Sequence, residues 1–331
     1  MRVLITGGAG FIGGHLSAAL ANDGHEVDIV DNLARGVRDP FVEWLLAGHA
    51  GRVRLIAADL LAPDALSDLD PGYDQIFHLA AIIGVQHVLA RPYEVLLHNA
   101  VMTDRVLAFA RRHGAVPRVV FASTSEVYAG TLLQGTLPIP TPETAPLVLP
   151  PLAHARTSYM LSKIYGEAMC LASGVPVTII RPHNVYGPRM GMSHVIPELL
   201  KRAYDAHGDS ALEVFSPDHR RTFCYIDDAI RQIRGAADAP AGLGATVNIG
   251  SGAPECTIQD LAALVVETVG KRLRLVPGPT TAGSPTRRCP DTQLGDTLSG
   301  HRTRISLADG VGRTYAWYKE TVFASGGPSA I

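Results

Sequence analysis

Cysteine is scarce in this chain. There are four in 331 residues, Cys170, Cys224, Cys256 and Cys289, and no C-x-x-C pair among them. That spacing argues against a disulfide framework or a cysteine-held zinc and leaves incidental thiols. Thirteen histidines form no H-E-x-x-H or His-x₃-His pattern, so no metal is expected. Excess charge of either sign is also missing. A net charge of −2 gives no electrostatic reason for nucleic acid or an anionic membrane to bind. No apolar run reaches the roughly 18 residues that a membrane span requires. A separate apolar leader with a cleavage site is absent too, and a cytoplasmic location is expected. Internal repeats and low-complexity tracts are lacking, apart from a final Ser325-Gly326-Gly327-Pro328-Ser329 that reads as a disordered tail. What remains, 47% hydrophobic and 18% charged, describes a globular protein of one large or two ordinary domains.

Glycine is placed tellingly. A short apolar strand, Val3-Leu4-Ile5, runs into Thr6-Gly7-Gly8-Ala9-Gly10-Phe11-Ile12-Gly13. Such a break makes a seat for a pyrophosphate. Gly7 permits the tight turn, Gly10 lets backbone approach the phosphates, and Gly13 lets the new helix pack closely on the sheet. The N–H groups and positive dipole end of that helix face the anion. The spacing is G-x-x-G-x-x-G, a variant of the dehydrogenase fingerprint. A second run, His25 to Val30, ends in Asp31, where a dinucleotide site places an acid on the adenosine ribose. This carboxylate would repel a 2′-phosphate, so the expected cofactor is NAD. A third run, Val53 to Ala58, ends in Asp59-Leu60, a suitable edge for adenine.

Strand-like and helix-like segments alternate from residue 1 to about 181, predicting a doubly wound parallel α/β sheet of the Rossmann type. Further strands are expected at Gln75–Leu79, Arg118–Ala122 and Pro176–Ile180. Helices are expected at Gly14–Asn22, Glu94–Arg112 and Ser158–Leu171, and a loop at Leu132–Pro151. Beyond Arg181 the alternation fades. A helix is predicted at Ile196–Ala206, strands at Leu212–Phe215 and Thr222–Ile226, a helix at Asp227–Ala236 and a loop over Gly278–Ser299. The expected division is a dinucleotide domain at 1–181, with a return segment near 222–250, and a smaller substrate domain at 182–331.

The strongest chemical pattern is Tyr159-Met160-Leu161-Ser162-Lys163, which sets a phenol and an ammonium one helical turn apart on one face. A free phenol titrates near 10 and is a poor base at neutral pH. A neighbouring ammonium and a positive nicotinamide ring would both favour the phenolate, so Tyr159 could take a proton from a substrate hydroxyl. Ala122-Ser123-Thr124-Ser125-Glu126 follows a strand directly, which points Thr124 at the reacting hydroxyl and sets Glu126 beside the same pocket.

These motifs occur in order with His78-Leu79-Ala80-Ala81 and Arg181-Pro182-His183-Asn184-Val185-Tyr186-Gly187-Pro188-Arg189. Together they resemble the extended short-chain dehydrogenase/reductase family, specifically its nucleotide-sugar epimerases, dehydratases and decarboxylases. The resemblance runs from residue 1 to about Tyr318. It implies an NAD reduced and reoxidised within one turnover, a nucleotide-sugar substrate and a homodimer paired through the helices near Glu94–Arg112 and Ser158–Leu171. It also implies Thr124, Tyr159 and Lys163 as catalytic residues, joined by Ser125 and Glu126. Phe11, Ile12, Asn32, Leu60, Leu79, Ala80, Ala81, Asn99, Ser123, Tyr159, Lys163 and Pro182 are expected at the cofactor. Arg221 and Arg288 are expected on the substrate's diphosphate, with Asp291 steadying Arg288. Gly84, Val85, His183, Asn184, His194 and Val195 are expected along the sugar nucleotide.

Every reaction of that group begins by oxidising the sugar at C4. Epimerisation at C4 is the expected outcome, with decarboxylation and 4,6-dehydration as alternatives. Thr124-Ser125-Glu126 is similar to the triplet of UDP-glucuronate decarboxylases and of GDP-mannose dehydratases, whereas the Ile82–Val85 loop lacks the prolines expected of a decarboxylase. Ser125 stands where a dTDP-glucose-type dehydratase needs an aspartic acid. A catalytically silent NAD-binding sensor or scaffold is the reading of another class, and the intact Tyr159/Lys163 pair speaks against it.

Overall fold

The computed structural model describes residues 1–324 except His113, Asp209, Ala282 and Gly283, and it leaves out the side chains of Val85 and Gln86. The tail expected at Ser325–Ser329 lies outside the described residues. Six strands come from the first half: β1 (Arg2–Thr6), β2 (Glu26–Asp31), β3 (Val53–Ala57), β4 (Gln75–His78), β5 (Arg118–Ala122) and β6 (Val177–Pro182). Val3, Leu4 and Ile5 are all fully buried, as are Ile76, Phe77, Val120, Ile179 and Ile180. Such unbroken apolar runs belong to a parallel sheet covered on both faces. The strand order is β6-β5-β4-β1-β2-β3, and a seventh strand, Thr246–Ile249, pairs in parallel outside β6. This is a Rossmann-type doubly wound sheet. Its order reverses between β1 and β4, where a crevice opens at the carboxyl ends of the strands.

The helices are α1 (Phe11–Asn22), α2 (Pro40–Gly48), α3 (Val85–Ala90), α4 (Pro92–Arg111), α5 (Ala129–Leu133), α6 (Thr157–Ala172), α7 (Val195–Asp205), α8 (Ile226–Asp238), α9 (Ile258–Val269), α10 (Gln293–Ser299) and α11 (Leu307–Tyr318). Helices α4 and α6 lie side by side, while α8 packs on α1 and β6. Short strands build the rest of the second half. Arg220–Arg221 lies between Cys256–Thr257 and Arg287–Arg288, and Ala211–Val214 pairs with Arg274–Pro277.

The second half differs from expectation in several places. Gly278–Ser299 is not all loop, because it contains the Arg287–Arg288 strand and α10. Asp291 accepts the Gln293 N–H at 2.9 Å, and Gly300 ends the helix in a left-handed conformation. Leu132 and Leu133 belong to α5. The strand expected at Thr222–Ile226 is only Cys224–Tyr225, since Ile226 already begins α8, whose first turn carries Asp227 and Asp228 at the positive end of the helix dipole. Helices α9 and α11 were not anticipated. Among the described residues no helix is long and apolar enough to cross a membrane, and no cluster of His, Cys, Asp or Glu could hold a metal ion.

Candidate active site

The glycine turn closes over the β1–β4 switch. Gly7 adopts φ +73°, and a Cβ there would come within 2.7 Å of the Ala80 N; a Cβ on Gly13 would meet the Gly7 carbonyl at 2.3 Å. No other residue fits this cradle. The Leu79 N–H donates to the Thr6 carbonyl at 3.0 Å, which draws the Leu79–Ala81 segment to the turn. Phe11 and Ile12 open α1 beside Gly10. Asp31 ends β2 nearly buried and accepts the N–H groups of Ala9 (3.1 Å) and Leu33 (2.9 Å). The carboxylate thereby bridges the glycine turn and the following loop, with further lone pairs free for a ribose. Asn32 donates to Asp59 at 3.4 Å, joining the ends of β2 and β3, and Leu60 is buried behind them. Cradle, acid and switch point fit a bound dinucleotide.

Asn99 is a clamp between the segment after β4 and α6. From within α4 it accepts the Ile82 N–H (2.8 Å) and donates to the Ile82 carbonyl (3.2 Å) and to Ser162 of α6 (3.0 Å). The β4 loop and the helix carrying Tyr159 and Lys163 are thus fixed to one amide. Gly84 ends this loop with φ +103°, while the side chain of Val85 lies outside what is described.

The Thr124 hydroxyl caps the short turn Ser125–Tyr128, accepting the Glu126 N–H at 3.2 Å, and also hydrogen-bonds the Tyr159 phenol. Burial pushes that phenol above its ordinary value, and the Glu126 carboxylate adds to the effect. The Thr124 hydrogen bond and the Arg35 cation act in the opposite direction. Lys163 donates to the Ala122 carbonyl at 2.7 Å and lies 5.0 Å from the Phe121 ring centroid, and burial pushes its ammonium down to about 8. In the protein alone the net shift of Tyr159 is thus upward, with desolvation its largest cause, whereas the sequence expectation joined Lys163 with a bound nicotinamide.

Ser123 is not aimed at the crevice. Its hydroxyl bonds Glu167, which forms a buried pair with Arg181 at 2.6 Å and so leaves the strand end to serve packing. Arg181 in turn donates to Tyr128 at 2.7 Å, and Tyr128 donates to Asn248 at 3.0 Å. Asn248 also holds His183 Nε2 at 3.0 Å. Buried and close to Arg288, His183 has its pKa lowered to about 3 and stays neutral, so it is a wall of the site and carries no charge. Pro182 ends β6, and Asn184, at φ +42°, donates to the Thr222 carbonyl at 2.9 Å. His194 and Val195 stand at the start of α7, with His194 exposed.

The second half brings in the arginines. Arg288 bonds Glu126 at 2.7 Å, and its positive charge, working against burial, lowers the Glu126 pKa. Asp291, expected to steady Arg288, accepts the Gln293 N–H at the start of α10. Arg221 is buried, held by Ser284 at 3.1 Å and by the Pro285 carbonyl. Burial, reinforced by nearby Arg288, pushes it down to about 10. Arg156 also lies near enough to act on Glu126. Three guanidiniums around one carboxylate leave an excess of positive charge suited to an anionic ligand. Sequence reasoning missed Arg35, which reaches from the β2 loop to the neighbourhood of Tyr159 and Gly84 with its Nη1 buried and unpartnered. Nothing in the local sequence marks it.

Comparison with known proteins agrees with this geometry. The family described as the NAD dependent epimerase/dehydratase family matches residues 3–250. The UDP-N-acetyl-alpha-D-glucosaminuronate decarboxylase of Bacillus cytotoxicus is 33% identical, over 96% of this chain and 98% of that one. The UDP-glucuronic acid decarboxylase 1 of Danio rerio is 31% identical, over 96% of this chain and 72% of its own length. A solved Bacillus cereus UDP-glucuronic acid 4-epimerase variant, in complex with a fluorinated UDP-glucuronic acid and NAD, superposes with TM-score 0.81 at 26% identity, covering 97% and 99% of the two chains. A glycine cradle at the switch point, a Thr–Tyr–Lys group beside it and matching relatives along nearly the whole length lead to one assignment: the chain is an NAD-dependent enzyme of the epimerase/dehydratase family, in the extended short-chain dehydrogenase/reductase group that acts on nucleotide-activated sugars.

Proposed function

We propose that the chain oxidises C4 of a UDP-linked hexuronate and then releases the sugar's carboxyl group as carbon dioxide. The observation that carries this reading is the Glu126–Arg288 pair, set beside Tyr159 and Thr124. The Thr124-Ser125-Glu126 triplet and the names of the curated relatives support it. NAD, when bound, accepts a hydride from C4 and later returns it. Tyr159 takes the proton of the C4 hydroxyl, oriented by Thr124. The resulting ketone makes the hexuronate a β-keto acid. The bond from C5 to the carboxyl carbon then breaks, its electron pair moves into the ketone as an enolate, and C5 takes up a proton. Arg221 and Arg288 are assigned to the anionic groups of the substrate, and residues 182–331 to the nucleotide sugar. The dinucleotide is assigned to 1–181 with the return near 222–250.

Epimerisation at C4 is the second reading. The Bacillus cereus structure favours it, as does the Ile82–Val85 loop without prolines. Both readings begin with the same substrate class, so product mass separates them. Incubation with UDP-glucuronate and UDP-N-acetylglucosaminuronate is expected to give a product lighter by carbon dioxide. An unchanged mass with inverted C4 would support epimerisation, and inert substrates would sink both.

The proposal includes a cytoplasmic homodimer, with cell fractionation as the check on location. Tyr93 and Leu97 on α4 and Tyr165 on α6 are exposed at 74%, 42% and 55%, an apolar face on the two helices expected to pair. Tyr165→Glu is expected to yield monomers by light scattering while retaining the secondary structure of the parent. An unchanged mass in solution would move the interface elsewhere.

A further inference from the structure

Among the described residues the largest fully buried side chain is an arginine, Arg189, at 0% exposure. It follows the Val185–Tyr186 strand in the second half of the chain and adopts φ +69°, a left-handed conformation strained for any residue with a Cβ. Its guanidinium reaches under the glycine turn. Nη2 donates to the Ala9 carbonyl at 3.0 Å and Nη1 to the Gly10 carbonyl at 3.3 Å, while Nε pairs with Asp39 at 2.7 Å. The Phe41 ring covers one face at 4.5 Å. Gly14 makes the space: a Cβ there would lie 2.3 Å from Nη1.

The two carbonyls of the turn are thereby held inward, which directs the N–H groups at the start of α1 toward the crevice. The charge also matters. Asp31 and Asp39 both lie close to this turn, and without the guanidinium two carboxylates would stand uncompensated behind a seat for an anion. We propose that Arg189 is a positioning residue for the dinucleotide diphosphate, acting through the backbone of Ala9 and Gly10 without touching the ligand. A single side chain from the second half thus sets the anion seat of the first.

The test measures binding by the purified full chain of NAD, of ADP-ribose, and of adenosine as a competitor. Arg189→Met is expected to weaken NAD and ADP-ribose by about ten- to a hundredfold and to leave adenosine unchanged, because only the first two carry the diphosphate. Asp39→Asn still caps α2 through the Val42 N–H, held at 2.9 Å in the parent, and leaves the guanidinium without a counter-charge. It is expected to bind ADP-ribose as tightly as the parent or more tightly. A purely structural role predicts the opposite, with both variants losing affinity together and adenosine falling alongside ADP-ribose. Either result, or parental ADP-ribose binding by Arg189→Met, would overturn the proposal. Should Arg189→Met fail to fold, Arg189→Lys, which keeps the charge and loses the fork, is expected to show a smaller selective loss. The Asp39→Asn arm decides the matter independently.

Discussion

Tyr159→Phe is expected to retain NAD and lose turnover by on the order of a thousandfold, the scale of a positioned general base. The phenol is the only titratable group that Thr124 hydrogen-bonds beside the dinucleotide seat among the described residues. In the protein alone burial and Glu126 hold it protonated. On the proposed reading the base is made when the site fills, as an oxidised cofactor would add positive charge beside the phenol. The glycine turn and Asp31 are unchanged in this variant, so bound dinucleotide, read by absorbance after denaturation, should be close to the parent. A variant working within tenfold of the parent would place the base on another residue.

The second large effect is expected at Arg288. Truncation to Met would remove the cation that the proposal assigns to the substrate's anion, and it strands Glu126, whose charge raises the Tyr159 pKa. Losing a charge-assisted contact to the substrate costs about 1.5–3 kcal/mol, so kcat/KM should fall by roughly ten- to a hundredfold, and because the Glu126 side chain is 45% exposed its own stranding supplies the smaller share. Both kcat and KM should move if the arginine serves substrate binding and, through Glu126, the base, as proposed. Adding Glu126→Gln should recover part of the loss, since the stranded charge disappears with it. Effects that simply multiply would show that the pair is not coupled to the chemistry. Glu126→Gln alone also bears on the reaction class. A dehydratase needs that carboxylate as the C5 base, and full activity would exclude dehydration.

The first half of the chain was largely readable because its strands are continuous apolar runs and each ends in a polar or glycine signal. β5 was placed at its observed bounds, and β1, β2 and α6 shifted only by a residue or so, except that α1 begins at Phe11, inside the glycine motif. The second half was harder for a physical reason. Its strands are mostly two residues long and gain their order from side-chain bonds, as Arg287 does from Glu255 at 2.7 Å. A capping box was present before α9, where Thr257 and Asp260 bond each other's backbone, and it could have been found. At Gly7, Asp31, Thr124, Tyr159 and Lys163 a sequence motif coincides with a constrained geometry, and their roles belong to the proposal. Ser123 misled because strand-end position does not fix which way a hydroxyl turns when a buried Glu167 competes for it. Arg35 and the role of Arg189 depend on where loops fold back, which no local pattern encodes.

The strand Thr246–Ile249 has a practical consequence. It borders β6, and α8 packs on β6 and precedes the strand in the chain, so the seventh strand of the parallel sheet is supplied by sequence that comes well after residue 181. A gene fragment ending near residue 181 would expose Ile179 and Ile180 on an open edge, inviting aggregation. Cofactor-only mini-proteins cut from this chain should therefore keep the later segment, by fusion or by circular rearrangement.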